Sequence, residues 1–296
     1  MRVLVFGSLN IDYVYQVDHI VSSGETESSA GMSGNCGGKG LNQSVALARA
    51  GVSVCHAGMV GTEGDILIDA CVKNGVNVDF IRKSEGRSGH TIIQVDKNGN
   101  NSIILFGGAN RCMDEAFIAE VISNFESGDM ILLQNEINLL DVIVDTAYAK
   151  GMQIVLNPSP YDTVLDACDL AKVSYFILNE IEGMQMTGEK EPEKIIRAIH
   201  QEYPSAKIVL TLGSEGSMYF DAGKTYRQGI YRVQPVDTTA AGDTFTGFFF
   251  ASVIKGLTPS ESLALAAKAS AIAVTRHGAL DSIPTQEEVK GTELTQ

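Results

Sequence analysis

The chain has 296 residues, 44% of them hydrophobic and 20% charged, enough apolar material for one large globular unit with a substantial core. Its 22 Lys and Arg stand against 36 Asp and Glu, a formal charge of −14 that argues against nucleic-acid or anionic-membrane partners, because both require positive charge. No apolar run reaches the ~18 residues of a membrane span, and five cysteines with no C-x-x-C pair exclude a disulfide scaffold or a cysteine zinc site.

In chain order, the opening run Val3–Phe6 reads as a buried strand and is too short for a signal peptide, so a cytoplasmic chain is expected. Residues 12–18 read as extended. A glycine turn over 34–40 leads into a helix over 41–50, followed by a strand at 52–60, a helix at 66–72 and an extended piece at 78–81. Residues 90–96 and 102–106 flank Lys97-Asn98-Gly99-Asn100, and Asn-Gly is a strong hairpin signal. Further on, short apolar runs at 130–134, 153–157, 175–178 and 208–212 are separated by helical patterns at 139–149, 181–186 and 192–200. Such alternation predicts a mainly parallel sheet covered by helices on both faces, with ligands bound beyond the strands' carboxyl ends. One domain over 1–296 is expected, with the strands at about 12–18 and 90–106 inserted as a small lid.

Four segments carry chemistry. In Val236-Asp237-Thr238-Thr239-Ala240-Ala241-Gly242-Asp243, small residues at a helix start can present unpaired amides to an anion, and Asp243 beside them can accept a proton from an attacking hydroxyl. The same Asp243 could instead be a plain helix cap. In Gly37-Gly38-Lys39-Gly40-Leu41-Asn42-Gln43, Lys39 and Asn42 share one helical side and suit a hydroxyl-rich ligand, unless the lysine is merely solvated. Asn179 and Glu182 at a strand end could hold hydrated magnesium and phosphate oxygens, although Asn-x-x-Glu is also a capping-box pattern. Thr211-Leu212-Gly213-Ser214-Glu215-Gly216 is a strand end entering a glycine turn that could admit a nucleotide. The first glycine loop matches neither a Walker A nor a G-x-G-x-x-G pattern, so a dinucleotide-dependent oxidoreductase has no fingerprint here.

Residues 236–247 closely resemble the C-terminal signature of the ribokinase/phosphofructokinase-B family of sugar kinases, and Gly37–Gly40 with Asn42-Gln43 resembles its N-terminal signature in the ribokinase form. The resemblance runs from about residue 3 to 285. It implies a three-layer α/β sandwich with a mainly parallel sheet and a small β-sheet lid. It further implies ATP-dependent phosphorylation of a primary hydroxyl of a small sugar, ribose at its 5-hydroxyl first. Deoxyribose, another pentose or hexose, or a nucleoside remain as acceptors, as does a sensor without turnover. By the resemblance, Asp243 is the base and the amides of Ala240, Ala241, Gly242 and Asp243 form the anion hole. Asn10, Asp12, Gly38, Lys39, Asn42 and Glu136 match sugar-binding positions, and Asn179, Thr211, Gly213, Ser214, Gly216 and Ala267 match nucleotide contacts. Glu182 matches the magnesium–phosphate motif, and Asp237, Thr239, Ala273, Arg276, Gly278 and Ser282 match a monovalent-cation (K+) site formed mostly of backbone carbonyls. Ala240 stands where the family usually carries glycine, so its backbone is expected to avoid positive φ. Leu41 and Cys36 depart from the family pattern beside the sugar segment and are expected to bear on sugar identity. Open lid edges point to a homodimer through the lid.

Overall fold

In the computed structural model, which describes residues 1–295, the short apolar runs are strands of one nine-stranded sheet. The chain begins with β1 (Val3–Phe6), β2 (Asn10–Gln16), β3 (Gly31–Gly37), α1 (Lys39–Arg49), β4 (Val54–Val60), α2 (Asp65–Lys73) and β5 (Asn77–Lys83). There follow β6 (Gly89–Val95), β7 (Asn101–Phe106), α3 (Glu115–Ser123), β8 (Met130–Gln134), α4 (Leu140–Lys150) and β9 (Gln153–Asn157). The C-terminal half adds β10 (Tyr175–Asn179), α5 (Glu180–Thr187), α6 (Pro192–Glu202), β11 (Lys207–Thr211), β12 (Ser217–Asp221) and β13 (Lys224–Gln228). It closes with α7 (Ala241–Ile254), α8 (Pro259–Ala273) and α9 (Gln286–Gly291).

The large sheet runs β13-β12-β11-β10-β9-β8-β1-β4-β5, parallel except at β12 and β13. Its central strands are apolar on both faces because both are covered. Val3 and Val5 of β1 point into a core shared with α1, α7 and α8, whereas Leu4 and Phe6 point into one shared with α3, α4 and α6. This is the expected three-layer sandwich. Parallel register then aligns the carboxyl ends: Phe6 lies opposite Leu133, Gln134 opposite Asn157, and Asn179 opposite Thr211. Polar residues at or just beyond those ends therefore face a common rim.

A separate four-stranded sheet has the order β3-β2-β6-β7. The hairpin of β6 and β7 turns at Gly99, whose φ of 82° only glycine adopts freely. The middle pairing of β2 with β6 is parallel, and β2 pairs β3 antiparallel. Strand β3 was not expected. Its sequence, Gly-Met-Ser-Gly-Asn-Cys-Gly, has none of the β-branched character that marks strands, and its pairing with β2 forms it instead. The glycine turn expected over 34–40 is thus reduced to Gly38, at φ 96°, where the strand breaks into α1.

Candidate active site

Helix α7 starts from a left-handed residue. Ala240 has φ 57°, contrary to the expectation from sequence. Residue 240 is the corner of the turn into the helix: Ala241 N–H donates to Thr238 O at 3.2 Å and Thr244 N–H to Ala240 O at 2.8 Å. For alanine that conformation costs roughly 1 kcal/mol. The amides of Gly242 and Asp243 take no carbonyl partner among the described residues, and with Ala241 they sit at the positive end of the α7 dipole.

Asp243 is the third residue of α7 and caps nothing; no side chain caps this helix. Its carboxylate is almost fully buried and accepts Asn42 Nδ2–H on one oxygen and Gln43 Nε2–H on the other, both at 2.9 Å. Gln43 is fixed in turn, receiving Gln134 Nε2–H at 2.7 Å and donating to Asn157 Oδ1 at 3.1 Å, while Asn157 donates to Ile177 O at 2.9 Å. Side chains from α1, β8, β9 and α7 thereby converge on one carboxylate. Asn42 Oδ1 is buried without a donor among the described residues, an acceptor left over for a ligand hydroxyl.

Beside Asp243 lies a cavity of 260 Å³ lined by Lys39, Asn157, Ser159, Asn179, Glu182, Thr211 and the turn 240–243. Lys39, assigned from sequence to the sugar, reaches this cavity. Burial opposes its charge, but the carboxylates of Asp243, Glu136 and Glu182 outweigh burial and hold its ammonium above the ordinary lysine pKa. Burial pushes Glu136 upward, with Lys39 and Ser8 pulling the other way. Glu136 accepts the Lys39 amide at 3.1 Å and the Ser8 hydroxyl.

Asn179 and Glu182 do form the capping box that their spacing allowed. Asn179 Oδ1 accepts the amides of Ile181 and Glu182, and Glu182 Oε2 accepts the Asn179 amide at 3.0 Å. Both residues nevertheless line the cavity, and Glu182 brings a nearly buried carboxylate to it. No cluster of three or more metal-ligating side chains exists among the described residues. A single carboxylate on a polar cavity would suit magnesium, which keeps waters and ligand oxygens, rather than an ion held in an all-protein cage.

A second cavity, of 680 Å³, adjoins the first across Asn179, Thr211, Ala241 and Gly242. Gly213, Ser214, Gly216 and Ala267 line it, together with Ile230, Val233, Phe245 and Val274, which give it an apolar wall. Gly216 has φ 100°, and a Cβ there would lie 2.1 Å from Gln228 O, so no other residue keeps this turn open.

The small sheet supplies the remaining positions. Asn10 Oδ1 accepts Asn110 Nδ2–H at 2.7 Å, and Asp12 accepts the Thr91 hydroxyl at 2.5 Å. Desolvation raises the Asp12 pKa to about 6, with Thr91 opposing and Glu136 adding to the shift. Gly38 stands at the left-handed step into α1, 3.0 Å in Cβ terms from the Asn10 amide. Asp237 ties two loops together by accepting the Thr239 amide at 2.9 Å, its hydroxyl at 2.6 Å and the Gly278 amide at 2.9 Å. Val236 and Asp237 both donate to Val274 O, one residue beyond Ala273. Elsewhere in that set, the Arg276 guanidinium turns to Glu288 at 2.7 Å, and the Ser282 hydroxyl is buried against Ala279 O at 2.7 Å. Asp237 is the one anionic side chain of that set.

Two expectations fail here. Leu41 is fully buried in the core under α1 rather than beside the sugar positions. Cys36 lies opposite Ile11 and directs its thiol to Ile66 O, on the other face of the small sheet from Asp12. Neither departure touches the site. Gln43, Gln134, Asn157, Asn110 and Thr91 escaped sequence reasoning. Asn157 closes a strand run just as Asn179 does and could have been found by that parallel; Asn110 and Thr91 carry no local signal.

Comparison with known proteins identifies the family. The family model described as "pfkB family carbohydrate kinase" matches residues 1–286. A ribokinase of Schizosaccharomyces pombe is 34% identical, covering 99% of this chain and 98% of that one. A ribokinase of Haemophilus influenzae is 33% identical over 96% and 95%. Among solved structures, Arabidopsis thaliana ribokinase complexed with ribose and ATP superposes with a TM-score of 0.87 at 29% identity, covering 98% and 97% of the two chains. The chain belongs to the pfkB family of carbohydrate kinases and is a ribokinase-like enzyme of that family.

Proposed function

We propose that this enzyme transfers the γ-phosphoryl group of ATP to the 5-hydroxyl of D-ribose. One observation carries the reading: a buried carboxylate, Asp243, sits on the same helix turn as the free amides of α7 and lines a small polar cavity that adjoins a large apolar-walled one. The large cavity takes the adenosine and the small one the transferring phosphoryl. Asn10, Asp12, Asn42 and Glu136 hold the sugar hydroxyls. Asp243 accepts the proton of the attacking hydroxyl as the new P–O bond forms and the bond to ADP breaks. The amides of Gly242 and Asp243 and the Lys39 ammonium stabilise charge on the phosphoryl oxygens. Magnesium, when bound near Glu182, neutralises charge on the phosphates. Residues 237–239 and 273–278 would hold a monovalent cation, which would stiffen the anion-hole turn.

The small sheet acts as a lid of one kinase unit, excluding water that would otherwise take the phosphoryl. We also propose a homodimer through this lid. Its edge strand β7 exposes Ile103, Ile104, Leu105 and Phe106, and its other edge exposes Met32. All five cysteines are free, in accord with a reducing cytoplasm. No helix among the described residues is long and apolar enough to cross a membrane.

The test is ADP release across ribose, 2-deoxyribose, hexoses and nucleosides, with and without magnesium and potassium. Ribose should give the highest kcat/KM, magnesium should be obligatory and potassium should stimulate. Two Salmonella deoxyribokinases are 29% identical to this chain, so preference for 2-deoxyribose is the outcome that overturns the acceptor.

A further inference from the structure

We infer that Thr91 is a positioning residue: its hydroxyl fixes the Asp12 carboxylate in the one orientation that offers its free lone pairs to the acceptor sugar. The inference rests on the proposed acceptor role of Asp12.

Thr91 lies directly opposite Asp12 in the parallel pairing of β6 with β2, so both side chains project from the same face of the small sheet. Thr91 is 8% exposed, and its hydroxyl donates to Asp12 Oδ1 at 2.5 Å. From the other side the carboxylate is fitted to a glycine. A Cβ on Gly37 of β3 would lie 2.0 Å from Asp12 Oδ2, so any side chain there would drive Asp12 out of position. The neighbouring row repeats the device. A Cβ on Gly89 would fall 2.0 Å from Asn110 Nδ2 and 2.3 Å from Asn10 Oδ1, so that glycine lets Asn110 reach and orient Asn10. Two polar side chains on β2 are thus each held by one donor and one vacant Cβ position.

A half-buried, desolvated carboxylate favours its neutral form unless donors compensate, and its pKa of about 6 reflects that. Thr91 is the one hydrogen-bond donor to it among the described residues. The other ionisable group facing Asp12, Glu136 beyond β8, repels its charge, while the Cys36 thiol on β3 lies on the opposite face of the sheet. His90, next in sequence to Thr91, stacks on Tyr13 and Phe106 on the opposite face of the sheet. Opposite Asp12 on β3 stands the neutral Asn35, and beyond Thr91 on β7 stands Leu105. Removing the hydroxyl therefore leaves the anion without a local donor, and a protonated Asp12 can no longer accept from two vicinal hydroxyls.

Thr91→Val and Thr91→Ser in the full chain test this against wild type, by steady-state kinetics on ribose and ATP from pH 5 to 8. The expected result for Thr91→Val is a KM for ribose raised about tenfold at pH 7, with kcat within about twofold. The pH at which KM begins to rise on acidification should move upward by about one pH unit, the effect of losing a hydrogen bond to the charged form. Thr91→Ser keeps the hydroxyl and should restore both. An unchanged KM profile in Thr91→Val, or equal loss in Thr91→Val and Thr91→Ser, overturns the inference. A carbon-13 NMR titration of Asp12 in the free protein reads the same contact without turnover. If wild type fails on ribose, the acceptor reading falls, and an Asp12 midpoint that is the same in wild type and Thr91→Val overturns the Thr91 role independently.

Discussion

At the scale of single residues, Asp243 and Gln43 divide one task. Asp243 is placed to take a proton, so Asp243→Asn should lower kcat by about 10²- to 10⁴-fold while ribose affinity, measured by calorimetry, stays near wild type. Equal loss of both would reduce Asp243 to a structural part of α1–α7 packing. Gln43 lines neither cavity. It orients one Asp243 oxygen while its own carbonyl is occupied by Gln134, so its rotamer is determined from both ends. Gln43→Leu deletes a hydrogen bond to a charged group and strands the Gln134 amide, which together should cut kcat by about 10- to 100-fold. The KM for ATP should hold, because the large cavity lacks Gln43; a matching rise in that KM would point to collapse of the cavity instead. The sequence showed Asp243 plainly, since its segment is dense with small residues. It did not show Ala240 at φ 57°, because alanine carries no mark of left-handed backbone.

Among elements, the contact that builds the site is the crossing of α1 and α7. Gly247 lies one turn after Asp243, and a Cβ there would fall 2.3 Å from Ala46 Cβ and 2.8 Å from backbone of α1. The helices touch at glycine on alanine, and that close approach brings Asn42 and Gln43 within 2.9 Å of the Asp243 carboxylate. Gly247→Ala should therefore act at a distance. Overpacking costs about 1–3 kcal/mol, and separating the helices lengthens both hydrogen bonds to the base, so kcat should fall with no polar group removed. A crystal structure of the variant with wild-type Asn42–Asp243 and Gln43–Asp243 distances would refute this coupling. Most elements were legible because buried parallel strands read as unbroken apolar runs, as in Met130–Gln134. The ones that were not are instructive. Strand β3 has no strand composition, and Gly247 reads as an ordinary helical glycine until its neighbour is known. Leu41 looked like a pocket residue from its place in the motif, yet helical rotation of one position turns it from Asn42's side into the core.

For the molecule as a whole, two buried groups make opposite demands on pH. His56 is fully buried between Ser44 Oγ at 2.7 Å and Gly7 O at 3.3 Å, and burial lowers its pKa from 6.5 to about 4. The unfolded chain binds this proton below pH 6.5 and the native protein does not, so His56 withdraws about 3 kcal/mol of stability as pH falls toward 4. Asp12 has the reverse sign. Its native pKa of about 6 exceeds the ordinary 3.8, so it withdraws a comparable amount as pH rises through that window. These two contributions largely offset each other in wild type between pH 6 and 4. Asp12→Asn removes one side of the balance. At pH 7 the variant should melt above wild type by about 5–10 °C, since a desolvated charge is gone, and the gap should close on acidification toward pH 4 as wild-type Asp12 takes up its proton. A gap that stays constant across pH would show that Asp12 is ionised without penalty in the folded protein. If the gap behaves as argued, the enzyme keeps a destabilising carboxylate under its small sheet in the absence of ligand, and sugar hydroxyls supply the donors that the fold withholds.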